Sequence, residues 1–135
     1  MNGQFQIAMH ILTLLDHADG ELLSSEYIAG SININPALVR KEIRNLRKYG
    51  LIASKEGKAG GYSLGLPAPK IILSDIYKAV KHQPALGQAK NLPNPKCTVG
   101  RQINQHLNTL ADEVDNSILN KLSTITLADF SQQFK

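Results

Sequence analysis

The chain has 135 residues, no tryptophan and a single cysteine, Cys97. One thiol cannot close an internal disulfide, so the fold is not stapled by cysteine. With aromatics at only 5%, the core must rest on Leu, Ile and Val. No apolar run approaches the roughly 18 residues a membrane helix needs, so no membrane partner is expected. The N-terminal stretch MNGQFQIAMHILTLLDH has no basic leader and carries polar residues at helical spacing, unlike a signal peptide. The expected location is the cytoplasm. A glycine-rich phosphate loop, a nucleophile elbow and a metal-spaced ligand set are also missing, which leaves an enzyme reading little to stand on. His10 and His17 read as first-helix residues, one partly buried and one near the helix end. Asp112, Glu113 and Asp115 read as a solvated acidic face.

What is present suits one compact domain: 42% hydrophobic and 19% charged residues, enough apolar material for a single core. The net charge of +4 is unevenly placed. Arg40, Lys41, Arg44, Arg47, Lys48, Lys55 and Lys58 lie within one short window, opposed only by Glu42 and Glu56. That window is net +5, so the remainder sums to −1. A localised basic face is the footprint of a polyanion partner; its plainer alternative is a solvated helix surface.

Spacing favours the first. Phe5, Ala8, Met9, Leu12 and Leu15, widened by Ile7, Ile11 and Leu14, predict a buried helix over 4–17. Ser24 is an N-cap for a second short helix, with Glu26 in its first turn and Tyr27, Ile28 and Ile32 as its apolar face. Asn35 caps, and Pro36 opens, a helix running to Tyr49, with Val39, Ile43 and Leu46 inward and Arg40, Arg44, Arg47 and Lys48 outward. Gly50 occupies the left-handed position after it, and Leu51 packs back. Two helices joined by a tight turn, the second basic, form a helix-turn-helix pattern. Asn35, Pro36, Ala37, Leu38, Arg40 and Lys41 lie where base edges would be met, and Arg44 and Lys48 where phosphates are the expected targets. Ser24 and Ser25, at the start of the second helix, join the candidate contacts.

Residues 51–55 and 61–65 read as two short strands around a glycine-rich tip. A hairpin directly after the basic helix makes a winged helix, a mainly α fold with a small β wing. Gly60 and Gly61, with Lys55, Lys58 and Tyr62, complete the candidate DNA contacts, the glycines leaving nothing to block a sugar-phosphate backbone. Ser74 is a candidate cap for a further helix carrying Ile76, Tyr77 and Val80 inward. Residues 83–96, with Pro84, Pro93 and Pro95, predict an extended loop. Then Val99, Ile103, Leu107, Leu110, Val114, Ile118 and Leu122 step by three or four along a helix of about 25 residues, about 37 Å long. So small a domain cannot cover it alone, and pairing with a second copy through Ile103, Leu107, Leu110, Val114, Ile118 and Leu122 is expected. Folding back over its own domain is the alternative. Thr126 and Asp129 form a capping-box pair for a last short helix around Leu127 and Phe130. The expected segments are 1–66 for DNA binding, 67–97 as connecting helix and loop, and 98–135 for dimerisation.

This order of elements resembles the Rrf-two family of bacterial winged-helix transcription regulators. The resemblance covers nearly the whole chain and rests on LVRKEIRNLRKYGLIASKEGKAGGYSL, ILSDIYKAV and ITLADF. It implies a homodimer on a palindromic operator of double-stranded DNA, often as a repressor. It makes residues 35–48 the recognition helix and residues 55–62 the wing, with Tyr62 anchoring the wing by packing as well as by contact. Members that bind an iron–sulfur cluster carry three cysteines in the loop and at the start of the long helix. Here only Cys97, in PNPKCTVGRQ, is in place, and PALGQAKNLPNPK has no thiol. A cluster normally takes four ligands, so no metal or cofactor is expected. Cys97, at a helix start beside Lys96 and near Arg101, is a candidate thiol sensor; an inert cap cysteine is the simpler reading. An unidentified small-molecule effector stays open as a partner. A winged helix used only for protein contacts is the alternative function, disfavoured because an adaptor has no reason to keep helix and wing both basic.

Overall fold

The computed structural model describes residues 3–135; residues 1 and 2, at the start of the first expected segment, lie outside the described residues. Helix α1 (Gln4–His17) sets Ala8, Ile11, Leu12 and Leu15 into the core, at the spacing that puts them on one face. Helix α2 (Ser25–Ile32) begins where the Tyr27 amide donates to Ser24 Oγ at 3.1 Å. It ends at Asn33, whose left-handed φ of 64° turns the chain sharply. Helix α3 (Pro36–Lys48) starts on Asn35, whose Oδ1 accepts from the Ala37 amide at 2.7 Å, with Pro36 in the first turn. At its far end Leu51 N–H donates to Leu46 O and Gly50 N–H to Arg47 O, with Gly50 at φ 74°. Those two bonds are the Schellman arrangement, and they need the left-handed residue that glycine adopts without cost.

Strand β1 (Ile52–Lys55) pairs antiparallel with β2 (Gly61–Leu64), Ile52 facing Leu64 and Lys55 facing Gly61. Leu23 adds a bridge on the outer side of β2, exchanging both backbone bonds with Tyr62 at 3.0 and 2.8 Å. No alternation in residues 21–24 announces this third member. A 3₁₀ turn over Ala68–Lys70 leads to α4 (Leu73–Val80). Ser74 does not cap that helix: the cap position is Ile72, with no side-chain bond, and Ser74 is buried. The orphan amide is met through tertiary contact instead, Leu73 N–H donating to Ile125 O at 2.9 Å and Ile72 bridging Thr126.

Residues 81–97 carry no helix or strand. Helix α5 (Thr98–Leu122) has the expected length, and not one of its residues is buried. Helix α6 (Leu127–Ser131) opens on the expected capping box, Thr126 Oγ1 accepting from Asp129 N–H and Asp129 accepting from Thr126 N–H. Leu127 is fully buried and joins the core built by α1, α3 and α4, and His17 Nε2 lies 3.0 Å from Ser131 O. By packing, then, α6 belongs with the N-terminal core, while α5 lies against α4 and meets the core only at its Leu122 end, with residues 104–110 exposed.

Candidate nucleic-acid interface

The outer face of α3 follows from its inner one. Val39, Ile43 and Leu46 are buried, and Asn45 Nδ2 donates to Ala79 O at 2.9 Å, tying α3 to α4. The helix is thereby fixed in rotation, and Arg40, Lys41, Arg44, Arg47 and Lys48 are left exposed. Glu42, counted above against the basic charge, is only 2% exposed and takes hydrogen bonds from Gln4 Nε2. It sits on the inner side, so the outward face is more basic than the window's net charge.

Arg40 Nη1 lies 3.9 Å from Glu26 Oε1, with both side chains largely exposed. Such a pair is worth about 0–1 kcal/mol and leaves Arg40 available to a phosphate or a base. Among the described residues no ion pair engages Lys41, Arg44, Arg47, Lys48, Lys55 or Lys58. Asn35, Ala37 and Leu38 are exposed at the N-terminal end of α3, and Pro36 is half-buried. Ser24 is exposed at the start of α2 but already accepts the capping bond. Ser25 is buried and donates its hydroxyl to Glu26 Oε2 at 3.1 Å, so it is not offered to a ligand. Tyr27, assigned above to the inner face of α2, is 60% exposed; Ile28 and Ala29 fill that face. Tyr27 therefore stands out to solvent, a position that its aromatic character alone did not reveal.

In the wing, Lys55 and Lys58 are exposed and Tyr62 is half-buried against the core. The two glycines serve the protein's own backbone. A Cβ on Gly60 would collide with the carbonyl oxygen of Lys55, and one on Gly61 would come 2.8 Å from Leu23 O. Their smallness closes the hairpin and seats it against residues 22–23, before any DNA is considered.

Along α5, Leu107 and Leu110 are each 48% exposed, and Ile103, Val114, Ile118 and Leu122 are half-buried. The last three, with Leu110, line an apolar groove against Phe5 and Tyr77. Asp115 is not a free acidic residue: it accepts from the Ala85 amide at 2.9 Å and lies 3.3 Å from Lys81 Nζ. The Ala85 bond, aided by Lys81, holds its carboxyl below the ordinary 3.8. Cys97 is exposed at the cap of α5.

A family model described as iron-dependent transcriptional regulator, Rrf2, matches residues 1–133. The chain belongs to the Rrf2 family. It is 36% identical over 129 residues to the HTH-type transcriptional regulator YwnA of Bacillus subtilis, covering 96% of this chain and 95% of that one. Its fold is similar to a transcriptional regulator from Lactobacillus plantarum, with a TM-score of 0.81 and 25% identity over 98% of this chain and 89% of the other. CymR, the global cysteine regulator of B. subtilis, shares the fold at a TM-score of 0.74 and 20% identity, covering 100% and 98%. This Rrf2 chain is a winged-helix, DNA-binding transcriptional regulator, and its relatives are regulators, not enzymes. Among the described residues no helix is long and apolar enough to cross a membrane. The iron of the family description does not fit the donor set: the chain has one thiol, and no three His, Cys, Asp or Glu side chains gather as ligands among the described residues.

Proposed function

We propose that this Rrf2 protein is a homodimeric repressor that reads a palindromic operator, with α3 in the major groove and the β1–β2 wing on the backbone or in the minor groove. One observation carries the reading: a rotationally fixed helix presents five exposed cations on one side and runs directly into a wing bearing two more. An adaptor gains nothing from that continuity, whereas a duplex has phosphates flanking the groove a helix enters. Exposed Asn35, Ala37, Leu38, Arg40 and Lys41 lie at the end of α3 that would meet base edges, and Arg44, Lys48, Lys55 and Lys58 would meet phosphate. The uncovered stripe of α5 supports pairing of two copies, which sets two recognition helices at a fixed separation. Occupancy of an operator that overlaps a promoter excludes polymerase, which is the simplest route to repression, and the work is done in the cytoplasm, where a bacterial chromosome lies.

Anisotropy titrations of labelled duplex across a salt series test the reading. Binding should weaken steeply with salt, and Lys48→Ala should lower the slope of log K against log salt by about one per protomer. Salt-independent binding, or an unchanged slope, would take α3 out of the interface.

A further inference from the structure

We propose that a cavity between α1, the end of α5 and α6 is a binding site for a small neutral aromatic molecule carrying an O–H or N–H donor, such as a phenol or an indole. The cavity measures about 680 Å³ and is walled by Phe5, Met9, Leu122, Ile125, Phe130 and Phe134. That volume lies within the roughly 300–1,000 Å³ of ligand pockets. Aromatic rings on both α1 and the C-terminal segment offer edge and face contacts to a flat ligand, and the Met9 thioether suits an aromatic edge.

The polar groups define the rest of the ligand. Thr13 lines the cavity at 9% exposure, and its Oγ1 is a buried polar atom without a hydrogen-bond partner. Leaving a buried hydroxyl unmatched is costly, and native proteins rarely do so without a reason. A helical threonine populates two χ1 rotamers, so the hydroxyl can turn to meet a bound group. His17, also in the lining, has Nε2 3.0 Å from Ser131 O. A carbonyl only accepts, so Nε2 carries the proton and Nδ1 of the neutral ring is an acceptor. His10 Nε2 is also engaged, with Ser31 Oγ at 2.9 Å, a hydroxyl that can donate or accept. The His17 Nδ1 acceptor, beside a Thr13 hydroxyl that can accept as well as donate, suits an O–H or N–H donor on the ligand. No Asp, Glu, Lys or Arg lines the cavity among the described residues, so nothing there selects a formal charge.

Phe5 and Leu122 are shared with the groove along α5 that the proposed dimer would use. Occupancy therefore bears on how α5 seats against the DNA-binding part, and through that on operator affinity. This consequence rests on the reading proposed above; the site itself does not.

Calorimetric titration of the full-length protein with phenol, indole and 2-naphthol, without DNA, tests the site. One 2-naphthol should bind per chain with a dissociation constant on the order of 100 µM. Thr13→Val should weaken it about tenfold by removing the bonded hydroxyl. Gln6→Trp, at an exposed position on the rim, should block entry with the core untouched. Absence of saturable binding by all three probes, or equal binding by wild type and both variants, overturns the proposal. So does a change in dimerisation in place of ligand binding, which would assign the cavity to a second copy of the chain. A protein that binds 2-naphthol but no duplex keeps the site and loses only the DNA reading.

Discussion

A methyl group at position 60 has no room beside the Lys55 carbonyl, and one at 61 presses on Leu23 O. Gly60→Ala should therefore unpair β1 from β2 and lower operator affinity, while helical circular dichroism stays near wild type; amide exchange at Ala53 and Ser63, the pair that faces across the hairpin, reports the unpairing. A wing that keeps both protection and affinity would show that these glycines are dispensable. That the tip needed small residues was legible from the sequence. The reason was not, because the colliding partner of Gly61 lies nearly forty residues earlier, in a segment whose pairing with Tyr62 leaves no periodic trace. The same distance hid the role of Asp115, which holds the Ala85 amide. Its folded carboxyl titrates below 3.8, so its contribution is fully present above that value and is lost as pH falls through the lowered one. Protection of the Ala85 amide from exchange should persist at pH 5 and vanish in the acid limb, and Asp115→Ala should abolish it at every pH.

Helices were the most legible elements, since α1, α3 and α5 each repeat an apolar residue at i+3 or i+4 and carry their own stops: Asn35 and Pro36 before α3, Gly50 after it. Asn35→Ala should cost roughly 0.5–2 kcal/mol in denaturant unfolding through loss of the bond to the Ala37 amide. Where an element draws its cap from elsewhere, local reading fails: Ser74 resembles an N-cap, yet α4 is capped by backbone from residues 125–126. The helix α2 was placed correctly but turned slightly, which buried Ser25 and exposed Tyr27; over eight residues, too few apolar positions exist to fix a face. The tie between α6 and α1 was likewise invisible in local spacing. Leu127→Ala should cost roughly 2–5 kcal/mol, as for other fully enclosed leucines. A loss below about 0.5 kcal/mol would mean that α6 is an appendage and not part of the core.

For the whole molecule, the fold leaves exposed both the stripe of α5 and the basic face of α3, and pairing of two copies would join them through symmetry. Sedimentation equilibrium at micromolar concentration should return a dimer, and a charged residue at Leu107 or Leu110 should give monomers or aggregates. The dimer makes the two α3 helices a ruler, and the ruler can be read from DNA. Selection of random duplexes by the purified protein is the most direct measurement of the central claim. An inverted repeat is expected, with half-site centres about one helical turn, or a whole multiple of it, apart. Arg40→Ala or Arg44→Ala should then lower affinity for the selected duplex by roughly 1–3 kcal/mol if either reads a guanine. Recovery of no enriched sequence, or of one bound equally well by both arginine variants, would contradict operator recognition through α3.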